Sequence, residues 1–272
     1  MPSPACYCQP RPHRPEAVSC PGGGWRSFGR CLALLPGLVA GAAPSSPPLP
    51  GAPNVLRIAG GHDSAASDTA AAILQRAYGR AGLALRVEPL PASRASQRLD
   101  AGRLDGEVAR IGPYFDAHPA LLRVGPPLMQ ASLVAYVRAD AGFTVRGVAD
   151  LRGRRVGIVR GLLQSQRLVA GLDRVTEVTS GTQLYRMLAA GRLDVVVDAP
   201  LNQRRHTAQL GLRNVVAQAT LCEQPAYHAL HRRHAALAPR LAAALEAMQA
   251  SGELAALAAG VEPAPAPLLA TR

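Results

Sequence analysis

Four charged side chains fall where the chain leaves an apolar, strand-like run. Asp63 follows Val55 to Ala59, Arg110 closes Gly106 to Ile111, Arg160 follows Arg154 to Val159, and Asp198 follows Val195 to Val197. Charged groups at such places can hold the ionic ends of a small molecule, because loops and helix starts converge at strand ends. Each also has a plainer reading. Asp63 or Ser64 can cap the helix that follows, Asp198 can cap a helix opened by Pro200, and Arg160 can be a solvated arginine. Arg110 is different in being embedded in an apolar strand end.

The chain offers little else for covalent or metal chemistry. No Gly-x-Ser-x-Gly nucleophile turn occurs. Cys222 lacks the surroundings of a catalytic thiol and reads as a buried small hydrophobe. His228, His231 and His234 lie three apart in an extended segment, so neighbours in the series point to opposite faces and cannot share an ion. Cys6-x-Cys8 has no His or Cys partner at finger-like spacing. No cofactor, metal site or catalytic group is expected.

The elements that must position the four residues alternate regularly. Strands are expected at Val55 to Ala59, Leu83 to Leu90, Gly106 to Ile111 and Leu128 to Arg138, with helices at Ala65 to Ala81 and Ser93 to Ala101. The pattern restarts after Asp140: a helical turn at Val148 to Leu151, strands at Arg154 to Val159, Val175 to Val178 and Val195 to Val197, and helices at Leu162 to Leu172, Gln183 to Ala190 and Leu201 to Leu210. Strands at Val215 to Ala219 and Ala226 to His231 follow, then amphipathic helices at Leu237 to Gln249 and Glu253 to Ala259. Strands alternating with helices argue for an α/β fold built on parallel sheet. The restart argues for two lobes, and so does a repeat: Ala-Gly-Arg-Leu-Asp occurs at Ala101 to Asp105 and again at Ala190 to Asp194, each copy between a helix and an apolar run. The Gly suits a helix C-terminus.

A chain of 272 residues with 48% hydrophobic content can bury a real core. Its formal charge is +12, and every one of the 30 basic residues is arginine. They are scattered among Ala, Gly and Pro rather than gathered on one face, which reads as coding bias and argues against nucleic-acid binding. Arg26 and Arg30 precede an apolar run, Cys31 to Ala43, that ends in small residues and has the length of a signal-peptide core. Residues 1 to 43 are therefore expected to be a signal peptide with an N-terminal extension, and residues 44 to 54 a Pro-rich linker. Four of the five cysteines fall in that leader, which leaves no disulfide framework in the mature part.

The order of segments from Val55 to Gly260 resembles the bacterial extracellular solute-binding proteins of the polar-amino-acid family, type II periplasmic binding proteins that serve ABC importers. Three stretches carry the resemblance in that family's order. They are Gly102-Arg-Leu-Asp105 before an apolar strand, Ala149 to Ile158 (similar to "DLKGKKVGV"), and Leu188 to Asp198 (similar to "LxxGRVDAVVxD"). Pro126 to Met129 followed by Leu133 to Arg138 also resembles "PYxxxxxALLVR".

The resemblance implies two α/β lobes, each a mostly parallel sheet flanked by helices, joined by two crossover strands around a ligand cleft. Lobe 1 would comprise residues 55–139 and 220–262, lobe 2 residues 140–219, with a disordered tail from 263. Asp198 aligns with the family's Asp that holds a ligand ammonium group, an ion pair that strengthens when shielded from water. Arg160 stands where the family has hydroxyl donors, and Arg110 near its carboxylate-binding Arg. The usual "TxxR" arginine is missing, since Ile111 to Asp116 contains none. Asp63 should face the cleft and Tyr114 its mouth. The implied function is periplasmic capture of an anionic or zwitterionic, amino-acid-like solute for the membrane permease of an ABC importer, by a monomer. The alternatives are an enzyme on the same scaffold, similar to cyclohexadienyl or arogenate dehydratases and using Glu107, His62 or Asp198, and a sensory ligand-binding domain. The latter is disfavoured by the lack of an apolar spanning segment after Gly260.

Overall fold

A computed structural model describes residues 55–259. The expected signal peptide, the Pro-rich linker and the tail from residue 263 lie outside them. In chain order the elements are β1 (Val55–Gly61), α1 (Ala65–Arg80), β2 (Ala84–Leu90), α2 (Ala92–Asp100), β3 (Gly106–Ile111), α3 (Gly112–Ala117) and β4 (Leu121–Arg138), then β5 (Val156–Val159), α4 (Leu163–Leu168), β6 (Val175–Val178), α5 (Gly181–Ala189), β7 (Val195–Asp198), α6 (Pro200–Gln209), β8 (Val215–His231), α7 (Ala238–Ala250) and α8 (Glu253–Ala258). Short 3₁₀ segments cover Val148–Leu151 and Arg232–Leu237.

The strands order as β2-β1-β3-β8-β4-β7-β5-β6. At each end three parallel strands, β2-β1-β3 and β6-β5-β7, meet an antiparallel long strand, β8 in one half and β4 in the other. β4 and β8 pair with each other through both halves, from Leu121↔His231 to Arg138↔Val215. They are the two crossovers, and each half is a copy of one plan.

The repeated pentapeptide executes the same task in both copies. Gly102 and Gly191 take φ of 65° and 67°, the left-handed turn that ends α2 and α5. The next residue's N–H then reaches back into the helix, Arg103 to the Arg98 carbonyl (2.8 Å) and Arg192 to the Met187 carbonyl (2.9 Å). Leu104 and Leu193 are buried. Asp105 then clips the start of β3 to β1: its carboxylate accepts the Arg57 N–H (2.7 Å) while its own N–H donates to the Arg57 carbonyl (2.8 Å). Asp194 does the same to Arg155, at 2.8 and 2.9 Å. The pentapeptide stops a helix and sets the register of the strand beyond it, leaving that strand's far end to the cleft.

Helix α1 buries Ala70, Ile73, Leu74, Ala77 and Tyr78, a single helical stripe, and Ser64 caps it by accepting the Ser67 N–H at 3.2 Å. The stripe packs with α7 and α8 on the first half's core, and Leu151, Val156, Ile158, Val195 and Val197 centre the second.

Several boundaries differ from the sequence expectation for identifiable reasons. β8 is one strand where two were expected, at Val215 to Ala219 and Ala226 to His231; at Pro225 only β4 flanks it, so a missing N–H is tolerated. β4 starts seven residues early, absorbing Gly125-Pro126-Pro127 as a register shift between Val124 and Met129. α4 stops at Leu168 because Val169 and Leu172 turn onto the second half's core. The short α3 follows β3 directly, with Pro113 in its first turn.

Candidate functional site

A cavity of about 550 Å³ lies between the two halves. Its rim and floor are the carboxyl ends of β1, β3, β5 and β7, the middle of β4, and the turn after β5. The identical plan of the halves makes this inevitable: two parallel sheets facing each other across shared strands point their functional ends at one gap. Asp63, Arg110, Tyr114, Arg160 and Asp198 all border it.

Asp198 ends β7 and is 3% exposed. Its Oδ1 accepts the Ala199 N–H (2.8 Å) and Asn202 Nδ2 (2.9 Å). Its Oδ2 has no partner, and neither has the hydroxyl of the adjoining Tyr185. Burial dominates the carboxyl and pushes its pKa up to about 6, against the hydrogen bonds from Asn202 and Ala199 that favour the charged form. Burial, and after it the Asp198 charge, raises the Tyr185 hydroxyl far above its usual range. The helix cap expected as the plainer role of Asp198 is not formed, since α6 begins after Ala199 without a side-chain cap.

Arg110 sits opposite, at the end of β3, and it is occupied. Glu107, 1% exposed, accepts from Arg110 Nε and from Nη2 (2.9 Å) in a two-pronged pair. The guanidinium also lies 4.8 Å from the Tyr114 ring centre. Burial alone would weaken its hold on the proton, but the Glu107 charge and hydrogen bonds outweigh that and raise its pKa above the ordinary value. Tyr114 bonds Ser96 Oγ at 2.7 Å, and its own pKa is pushed up to about 12, first by burial and then by the Glu107 charge. Arg160 stands at the rim, 58% exposed, paired with Glu177 at 3.3 Å.

Asp63 lies on the first half and reaches the second. Its Oδ2 accepts both the N–H and the hydroxyl of Thr182, each at 3.1 Å, at the start of α5. To do so it adopts a left-handed backbone, φ 56°, which Asp tolerates better than most residues. The fully buried His206 brings Nδ1 to 3.8 Å from Asp63 Oδ1, while its Nε2 has no partner. Nearby, Asn202 Oδ1 accepts from Ser64 Oγ and from the Ala66 N–H, both at 3.1 Å, and Arg205 pairs with Asp68 at 2.6 Å. On the cavity's other side Gly161, at φ 83°, packs so tightly on α2 that a Cβ would sit 2.9 Å from the Ser93 nitrogen. The halves thus touch on both flanks of the cleft.

Asn202 is the pivot of this arrangement: one end of its amide holds Asp198 and the other holds the α1 start of the facing half. Sequence reasoning missed it, along with Thr182, Tyr185 and His206. The available signal was spacing, because Asp198 and Asn202 are four apart across a Pro200 helix start. Among the described residues no three His, Cys, Asp or Glu side chains gather as a metal site, and no helix is long and apolar enough to cross a membrane.

No protein-family model matches the chain. An uncharacterized protein of Shewanella oneidensis is 27% identical over 187 residues, 66% of this chain and 70% of that protein. Among solved structures, a histidine kinase sensor domain with similarity to periplasmic binding proteins matches with a TM-score of 0.65 at 19% identity, over 77% of this chain and 98% of that one. An ancestral arginine-binding protein bound to arginine matches at 0.62 and 16%, over 76% and 97%. The GluR0 ligand-binding core of Nostoc punctiforme, in complex with L-glutamate, matches at 0.62 and 16%, over 74% and 96%. The chain has the two-lobed type II periplasmic-binding-protein fold that the sequence pattern implied.

Proposed function

We propose that this chain is a solute-binding protein of the polar-amino-acid type, which encloses a small molecule between its lobes and presents it to the permease of an ABC importer. The observation that carries this reading is a cavity of about 550 Å³ between the two halves, bordered at once by Asp198 from one half and by Asp63 and Arg110 from the other. A carboxyl withdrawn from water is costly to ionise, and a solute's ammonium group at Asp198 offsets that cost. Solved proteins of this fold are described as binding arginine and glutamate, which fits a solute of that size. Secretion through the leader and action as a monomer in the periplasm complete the proposal.

In this reading residues 55–139 with 220–262, and residues 140–219, move as two bodies about β4 and β8. Closure forms Asp63–Thr182 and Ser64–Asn202, contacts that exist only when the lobes meet, so solute and lobes stabilise one another. Tyr114 walls the cavity, and Arg160 guards the rim. The solved neighbours described as binding arginine and glutamate support capture rather than turnover. The fold match to a histidine kinase sensor domain favours a second reading, in which the same capture feeds a signal.

A melting screen of the chain against amino acids, amines and dicarboxylates tests capture. A solute at 100 times its Kd adds about 2.7 kcal/mol, or about 5–10 °C for a chain of this size. If no compound in any class moves the melting temperature, the capture reading fails.

A further inference from the structure

We propose that the cleft selects a cationic amine that carries no carboxylate, and that Glu107 makes this choice by holding the Arg110 guanidinium. The inference rests on the cleft being the capture site. An amino-acid ligand needs an acceptor for its ammonium and a free cation for its carboxylate. The Asp198 carboxylate, on the cavity wall, supplies the first. The second is missing, because Arg110 is already neutralised inside the protein by a partner that is 1% exposed.

A ligand carboxylate would have to take Arg110 from Glu107 or share it. Taking it strands a buried charge, which is strongly destabilising. Sharing it sets two carboxylates side by side in a site with little water, where like charges repel most. Tyr114 does not relieve this, because its hydroxyl is bonded to Ser96 at 2.7 Å. The other arginines on the cavity are poor substitutes. Arg160 is 58% exposed and paired with Glu177, and Arg204 is exposed on α6. Exposed pairs contribute little.

The remaining wall suits a hydrocarbon body. Ala59, Ala95, Ala109, Leu133, Leu162 and Ala226 border the cavity, and the Asp63 carboxylate is engaged by both donors of Thr182. The cavity thus presents the carboxylates of Asp198 and Asp63, aliphatic wall and neutral polar groups such as Gln130, Ser132 and Gln164, and its buried arginine is already paired. That matches an alkyl or aryl ammonium ion.

The test is calorimetric titration of the full-length chain at pH 7.5 with matched pairs that differ only in the carboxylate: isoamylamine and leucine, phenethylamine and phenylalanine, agmatine and arginine, with succinate as an anionic control. At least one amine is expected to bind about tenfold or more tightly than its carboxylated partner. Glu107→Gln frees Arg110 and is expected to shrink or reverse that ratio. If this variant does not fold, the wild-type ratio decides. Equal or tighter binding of the amino acid, or binding of succinate, overturns the inference and leaves capture intact. The absence of binding by any compound of any class overturns both.

Discussion

Replacing Asp198 with Asn should make the ligand-free protein more stable while abolishing its response to a cation. The folded chain raises this carboxyl from 3.8 to about 6, chiefly through burial. Each tenfold change in proton affinity corresponds to about 1.4 kcal/mol, so the ionised carboxylate costs the native state about 3 kcal/mol. The sign follows from which state binds the proton more tightly. Below pH 3.8 both folded and unfolded chains carry it and there is no cost. Between 3.8 and about 6 the folded state holds a proton that the unfolded state has lost, and stability falls as pH rises. Above 6 the full cost is present. An Asn at 198 keeps the acceptor for Ala199 and Asn202, at 2.8 and 2.9 Å, and points an amide toward the partnerless Tyr185 hydroxyl. Scanning calorimetry at pH 7.5 should therefore show the ligand-free variant melting about 5–10 °C higher than wild type, with no gain at pH 4. An equal gain at both pH values, or a loss at pH 7.5, would refute the argument that a buried, unpaired charge is the cause.

Three further outcomes are expected. Thr182→Ala removes one of the two donors to Asp63, so solute affinity should fall about fivefold, the effect of about 1 kcal/mol of closed-state stabilisation, with the melting temperature of the ligand-free chain nearly unchanged; a titration showing wild-type affinity would detach that contact from closure. Gly106→Ala places a Cβ 2.2 Å from the Ala229 carbonyl oxygen in the adjacent strand, and urea unfolding should show a loss of about 3 kcal/mol or more. His228 is fully buried, which lowers its pKa to about 4, with Tyr78 at 2.9 Å on Nε2 and the Glu107 carbonyl at 3.0 Å on Nδ1. The folded state keeps it neutral, so its contribution is present above pH 6.5 and is lost as pH falls toward 4, up to about 3 kcal/mol; His228→Gln should flatten that part of the stability profile, and an unchanged profile would assign acid sensitivity elsewhere.

Local grammar made the architecture legible. Gly102 and Gly191 each stop a helix, Leu104 and Leu193 each plug a core, and Asp105 and Asp194 each clip a strand, all within five residues whose chemistry is local. The same locality placed Asp63, Arg110, Arg160 and Asp198 at strand ends, and all four border the cavity. Their partners were not legible, because they come from far along the chain or from the other half. Asp63 meets Thr182, 119 residues away, and Ser64 meets Asn202, 138 residues away. Arg110 shows the opposite limit. Its partner Glu107 is only three residues distant, but in a regular strand residues three apart face opposite ways. The irregular register between Glu107 and Arg110 brings both side chains to one side.

Proton release on binding tests the central claim most directly, that the Asp198 carboxylate anchors a solute cation. At pH 6 the free carboxyl is about half protonated, and a bound ammonium group must expel that proton. Calorimetric titration with the tightest-binding amine, repeated in buffers of different ionisation heat, should report release of about half a proton at pH 6 and almost none at pH 8. Binding that releases no proton at pH 6, or an Asp198→Asn variant that binds the amine as tightly as wild type, would contradict the account.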